Sequence, residues 1–213
     1  GMHRYTYPAG EKANVLFDVG ALLAHGKTEK AAIHRISSKE IGGYSVLAPT
    51  SRRKKPVTVY FVARFNQNMT AFGGWEKEGK EKKLVHKNSI EGADIGGYAS
   101  FGKLKKQTLL MKVGISYVSE EQARINLEKE LAHWNFDRVK EDAFAEWNRE
   151  LGKITVEGGS EEEKIKFYTD LWHSLLGRHT FSDFNGKYID NTGEEPVVRQ
   201  VPLDNGTPTR NTY

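Results

Sequence analysis

Hydrophobic and polar residues alternate with a period of two through much of the first half of this chain. Ala13, Val15, Phe17 and Val19 are spaced by Asn14 and Asp18, and Leu109, Met111, Val113, Ile115 and Tyr117 by Leu110, Lys112, Gly114 and Ser116. Successive strand side chains point to opposite faces, so this pattern predicts strands with one face on a core. Val57 to Phe65 is a β-branched and aromatic run of the same kind. Glycine pairs at Gly42-Gly43, Gly73-Gly74 and Gly96-Gly97 read as breaks between runs, at the spacing of an antiparallel sandwich.

At Ser119 the period lengthens to about 3.6 residues. Ser119 to Gln122 reads as a capping box, followed by Ala123, Leu127, Leu131 and Trp134 on one helical face. Asp137 is predicted to cap a second helix carrying Val139, Ala143, Trp147 and Leu151, with Gly152 as its stop. Lys153 to Glu157 is predicted as a short strand. Ser160 to Glu163 forms a second capping box, opening a helix with Phe167, Leu171 and Leu175. That helix also carries Tyr168 and Trp172, so it is apolar on more than one face and predicts an exposed patch that needs a partner. Asn185-Gly186 signals a hairpin between Phe181 to Phe184 and Lys187 to Ile189.

Composition narrows the classes. With no cysteine in 213 residues there is no disulfide framework and no thiolate zinc site. The longest apolar runs, such as Val57 to Ala63, fall far short of the roughly 20 residues that cross a bilayer as a helix, so no membrane span is expected. Charge divides unevenly: residues 1–118 hold 20 Lys and Arg against 9 Asp and Glu, a balance of +11, and residues 119–213 hold 12 against 19, a balance of −7. The basic residues cluster in Arg52-Arg53-Lys54-Lys55, Lys77 to Lys83 and Lys103-Lys105-Lys106, beside turn residues, and read as solvated loop tips. No aromatic-interleaved basic strand or recognition helix accompanies them, so no nucleic-acid partner is expected.

Most acids sit on polar helix faces, where first-turn carboxylates favour the helix dipole. Asp183-Phe184-Asn185-Gly186 has the composition of a calcium loop, but an EF-hand places glycine sixth and a bidentate glutamate twelfth, so a turn is the reading. His173 falls off the Leu171 and Leu175 face and reads as packed or capping. His179 and Asp183 lie in the loop after the last helix and are the candidate substrate-binding residues, because loops held by rigid elements carry binding groups. Trp75 is placed in a loop after Phe72-Gly73-Gly74, able to stack on a ligand ring or on a neighbouring strand. No catalytic and no metal-ligating residue is assigned.

The segment Phe167-Tyr168-Thr169-Asp170-Leu171-Trp172-His173-Ser174-Leu175-Leu176, leading into Phe181-Ser182-Asp183-Phe184-Asn185-Gly186-Lys187-Tyr188, resembles the opening of the catalytic domain in glycoside hydrolase family 92. The resemblance runs back through Ala145 to Leu151, Phe136-Asp137, Glu121 to Leu127 and Val113 to Ser119, and reaches His3 to Pro8. It implies an α+β fold: an antiparallel, supersandwich-like β-sandwich, then linker helices, then the first helix of an (α/α)6 barrel. Residues 1–118 would be part of the sandwich domain, 119–157 linker helices with a short strand, and 158–213 the start of the catalytic domain. The family implies a calcium-dependent, exo-acting α-mannosidase that inverts configuration, acting on glycans with terminal α-mannose.

On this resemblance the chain looks like a fragment whose partner is the remainder of the same polypeptide. The calcium ligands and the catalytic acid and base are expected outside it, and the fragment alone is expected to be inactive. A periplasmic or extracellular location is implied. Pro202 to Arg210 does not match an aromatic Trp-Asp block often found at that point, which leaves the exact sugar open. The alternative, of a different class, is a non-catalytic carbohydrate-binding sandwich with a helical appendage.

Overall fold

The structure, a computed structural model, describes residues 1–21, 26–78, 81–177 and 180–209. Ten strands come first: β1 (Met2–Thr6), β2 (Lys12–Phe17), β3 (Thr28–Arg35), β4 (Glu40–Leu47), β5 (Val57–Phe65), β6 (Ala71–Glu78), β7 (Glu81–Val85), β8 (Ser89–Gly92), β9 (Gly96–Lys103) and β10 (Thr108–Ser116). Three helices follow, α1 (Glu120–Glu130), α2 (Phe136–Leu151) and α3 (Glu161–Leu176). The hairpin β11 (Lys187–Asp190) and β12 (Val197–Gln200) and the two-residue strands β13 (Leu203–Asp204) and β14 (Thr207–Pro208) complete it. The first ten strands form an antiparallel six-stranded sheet, ordered β1-β10-β5-β4-β3-β8, and a four-stranded one, ordered β2-β9-β6-β7.

The two sheets close on a common core. Ile33, Ile41, Phe65, Ile90 and Leu109 of the larger sheet are fully buried and meet Ala13, Val15, Phe72, Ala99 and Phe101 of the smaller. Phe65 and Phe101 pack edge to face across the gap with ring centres 4.7 Å apart. Each large apolar side chain removed from water there contributes about 1.5–3 kcal/mol before chain entropy is counted.

The glycine pairs lie inside strands, not between them. Gly42-Gly43, Gly73-Gly74 and Gly96-Gly97 belong to β4, β6 and β9. A Cβ on Gly43 would overlap the Ala32 carbonyl, and one on Gly96 would enter the indole ring of Trp75. Glycine is used here for close approach of backbone and ring, which is its other meaning in a strand. Trp75 is correspondingly a β6 residue lying on Gly96 in β9, and not a loop residue.

The larger sheet is covered on both faces. Opposite the sandwich core, Gly114 of β10 sits under Ala123 and Leu127 of α1, and Val62, Ala123 and Leu127 form a second small core. Strict alternation therefore misreads the end of β10: Ser116 is buried, whereas Ile115 is 54% exposed. Ionic contacts reinforce the helix. Glu40, 7% exposed, accepts from Arg64 Nε at 2.7 Å and from Arg124 Nη2 at 2.8 Å, while Arg64 reaches Glu128 and Arg124 reaches Glu121.

Helix boundaries follow caps. Ser119 Oγ accepts from Gln122 N at 3.1 Å, but the reciprocal half of the predicted box is missing, since Gln122 Oε1 is buried without a partner among the described residues. α1 ends before Trp134, whose ring lies 4.3 Å from the Lys112 ammonium, and Lys112 Nζ donates to the Leu131 carbonyl at 2.6 Å. Asn135, not Asp137, caps α2, accepting from Arg138 N at 3.1 Å. Asp137, the second residue of the helix, pairs with Arg4 at 2.9 Å. The Ser160–Glu163 box forms in both directions. The predicted strand at Lys153 to Glu157 does not form; Ile154 instead offers its carbonyl to the Tyr168 hydroxyl at 3.1 Å.

α2 and α3 bury no residue fully, although Trp147 and Trp172 meet with ring centres 6.2 Å apart. Phe144 of α2 and Ile165 of α3 are 69% and 66% exposed, but of the five α3 residues expected to form an apolar patch only Trp172 is exposed, while Phe167, Tyr168, Leu171 and Leu175 are partly buried. β11 pairs with β12, and not with the 181–184 segment that the Asn185-Gly186 signal suggested.

The Glu40 node yields a stability contrast. Glu40→Ala leaves two guanidinium groups half-buried without their shared carboxylate and is expected to cost about 3 kcal/mol. Glu128→Ala removes an acid that is 50% exposed and should cost less than about 1 kcal/mol. Urea unfolding of the two variants checks this; equal losses would contradict it.

Candidate functional site

A cleft of about 790 Å³ opens where the sandwich meets the helices. The end of β10 and Tyr117 form one wall, Asn126 and Glu130 of α1 another, and Thr180 to Phe184 a third. Its position follows from the fold: α1 crosses the outer face of β10, and the chain returns to the same strand after α3.

The return is fixed by a polar node. Asp183 is 7% exposed; its Oδ2 accepts from Ser116 Oγ at 2.9 Å and its Oδ1 from Asn126 Nδ2 at 2.7 Å. Asn126 uses every atom of its amide, donating also to the Ile115 carbonyl at 2.9 Å and accepting from Phe184 N at 2.7 Å. One side chain thus ties β10, α1 and the returning loop together. Tyr117 and Phe181 stack beside it, with ring centres 4.7 Å apart and planes 22° from parallel. Burial pushes the Asp183 carboxyl above the usual carboxylate range, opposed by the hydrogen bonds from Asn126 and Ser116 and by the charge of Lys187. A buried carboxyl with both oxygens occupied as acceptors organises its neighbours.

The Asp183–Gly186 turn that carries this carboxylate is closed by Gly186 N donating to the Asp183 carbonyl at 2.7 Å, with Gly186 at φ +84° where glycine is favoured. Asp183 N donates in turn to the Lys187 carbonyl at 2.7 Å. The hairpin beyond supports the turn, through Gln200 Nε2 to the Asn185 carbonyl at 2.7 Å and Val201 N to the Gly186 carbonyl at 2.9 Å.

Of the candidate residues, Asp183 lines the cleft and His179 lies outside the described residues. His173 is exposed on α3, its ring centre 4.9 Å from that of Trp172. Sequence reasoning missed Ser116 and Asn126, which look like ordinary strand and helix residues until the fold brings them to Asp183. It also misread part of the basic run 52–55. Arg53 donates to the carbonyls of Leu47, Ala48 and Lys55, and Lys55 donates to carbonyls of the β11–β12 connection. No residue-level signal marks those partners. Among the described residues, no three His, Asp or Glu side chains converge as a metal site would require.

Comparison with known proteins bears on this geometry. Residues 1–116 match the model of the glycosyl hydrolase family 92 N-terminal domain, and residues 122–201 match that of the family 92 catalytic domain. The structure is similar to the family GH92 α-mannosidase BT3965 from Bacteroides thetaiotaomicron, with a TM-score of 0.78 and 25% identity over 95% of this chain and 27% of that one. The same likeness holds for that enzyme in complex with mannoimidazole. The GH92 family glycosyl hydrolase ccman5 gives a TM-score of 0.77 and 26% identity over 94% of this chain and 26% of that one. A protein of Arthroderma benhamiae described as an uncharacterized secreted glycosidase is 30% identical over 90 residues, 40% of this chain and 10% of that protein. The chain therefore spans about a quarter of the length of these solved structures.

The node sets a pH-dependent expectation. Because the folded Asp183 carboxyl titrates above its unfolded value, its contribution is full below the unfolded pKa and is lost as pH rises through the raised folded one. Measured between about pH 3 and 7, wild-type stability relative to Asp183→Asn should therefore fall with rising pH. A relative gain over that range would contradict this. Asp183→Ala, which strands both donors, should cost about 2 kcal/mol.

Proposed function

The chain belongs to glycosyl hydrolase family 92, and from that premise we propose that its parent protein removes terminal α-linked mannose from glycans by calcium-assisted, inverting hydrolysis. The observation that carries this reading is the likeness to a GH92 α-mannosidase over 95% of the chain, including its complex with mannoimidazole. Inversion requires an acid to protonate the leaving oxygen and a base roughly 6.5–9.5 Å away to activate water. This chain is assigned neither, and the calcium ligands too are expected in the rest of the polypeptide.

In this reading the chain contributes scaffold and entry. The sandwich and α1 hold the loop after α3, from which His179 would reach sugar hydroxyls while Asp183 holds the loop's position. The match of residues 122–201 to the catalytic-domain model supports this over a non-catalytic sugar-binding sandwich. The remainder of the polypeptide is the natural cover for the apolar surface of α2 and α3. The secreted relative supports a location outside the cytoplasm, and no helix among the described residues is long and apolar enough to cross a membrane.

The full-length protein should release mannose from an aryl α-mannoside with calcium present, lose that activity in a chelator and regain it when calcium is restored. Proton NMR should show β-mannose as the first product. Failure on every α-linked mannoside, or α-mannose as the first product, would overturn this reading.

A further inference from the structure

Lys55, the last residue of the basic run, sends its ammonium across to the connection between β11 and β12. It donates to the Asn191 carbonyl at 2.9 Å, to the Glu194 carbonyl at 3.2 Å, and to the Gly193 carbonyl in a still closer contact. Three N–H donors meet three backbone oxygens, so the capacity of the ammonium is used in full. The base of the lysine is fixed as well, because Arg53 holds its loop through the carbonyls of Leu47, Ala48 and Lys55. On the other side, Asp190 accepts from Thr192 N and from Arg199 Nε, which shapes the hairpin the lysine grips.

The grip extends to the cleft. β12 ends at Gln200, and Gln200 and Val201 hold the carbonyls of Asn185 and Gly186 in the turn that carries Asp183. The returning segment is thus anchored at two separated points: to α1 and β10 by Asn126 and Ser116 at the turn, and to the sandwich by Lys55 at the far end of the hairpin.

We propose that Lys55 is a positioning residue, a tethered cation that fixes the β11–β12 hairpin on the sandwich and through it the Asp183–Gly186 turn that walls the cleft. A lysine suits the task because a compact ammonium converges three donors from one atom on three neighbouring oxygens, whereas the planar fork of arginine spreads its donors apart, as Arg53 does over Leu47, Ala48 and Lys55. This rests on the proposed glycosidase reading only for its kinetic consequence; the structural consequence stands by itself.

Hydrogen exchange and kinetics on the full-length protein test it, using Lys55→Met and Lys55→Arg. Both variants should exchange faster at 191–194 and also at Asn185 to Lys187, without loss of protection in the sandwich strands. Both should lower kcat/KM on an aryl α-mannoside by about tenfold, mainly through KM, since a small displacement of a binding wall is costly. Exchange that quickens only at the hairpin tip, restoration of wild-type behaviour by arginine, or unchanged kinetics despite a loosened turn would each overturn the proposal. If the wild-type protein has no glycosidase activity, the functional reading fails, and the exchange pattern at 185–187 still decides whether Lys55 positions the turn.

Discussion

Everything after the sandwich depends on α1 covering the outer face of the larger sheet. The sheet already buries one face against its partner, and Gly114 and Val62 on the other face leave room for Ala123 and Leu127 to settle onto the strands. That apolar contact is small, so Glu40 and its two arginines carry much of the orientation. A shared buried carboxylate is weak as net stabilisation but useful as geometry: Glu40 and Arg64 are paired on β4 and β5, and α1 is tied to that pair twice, through Arg124 to Glu40 and through Glu128 to Arg64. Once α1 is fixed, Asn126 is fixed, and with it the point where the chain returns to β10.

The sequence and the structure agree where local chemistry dominates. Ala13 and Val15 point inward as their alternation requires, and the Ser160–Glu163 box forms as written. Disagreement arises where tertiary contact outweighs local signal. Glycine pairs taken for turns are close-packing positions, because a strand crossed by Trp75 or by a neighbouring carbonyl has no space for a Cβ. Asn135 displaces Asp137 as a cap, and Asp137 takes a partner, Arg4, 133 residues away that no local pattern reveals. β11 finds its partner in β12 because the stretch before it is committed to Asn126 and Ser116.

Of the candidate site, the sequence shows that Asp183 belongs to the loop after the last helix but not what holds it there. The loop after the last helix does reach a cleft at the junction of the sheet and helical halves, and Asp183 lines it. Its carboxylate is engaged on both oxygens by residues 57 and 67 positions earlier, which gives it a structural task that the loop composition did not suggest. The charge asymmetry between the halves likewise acts through particular contacts, Arg4 with Asp137 and Arg64 with Glu128, more than as a general attraction. Segments matched to two different domain models are thereby joined by side chains from both.

The central claim is that Asp183 and Asn126 form a fixed joint which holds the loop after α3 against β10 and α1, the loop that the proposed function turns toward the sugar. A crystal structure of the full-length protein with a mannose-mimicking inhibitor tests this most directly. The account predicts that the Asp183 carboxylate keeps Ser116 and Asn126 as its partners, with the inhibitor touching the loop the joint holds. An Asp183 carboxylate released from both partners and bound to inhibitor hydroxyls, with the loop displaced from β10, would contradict it.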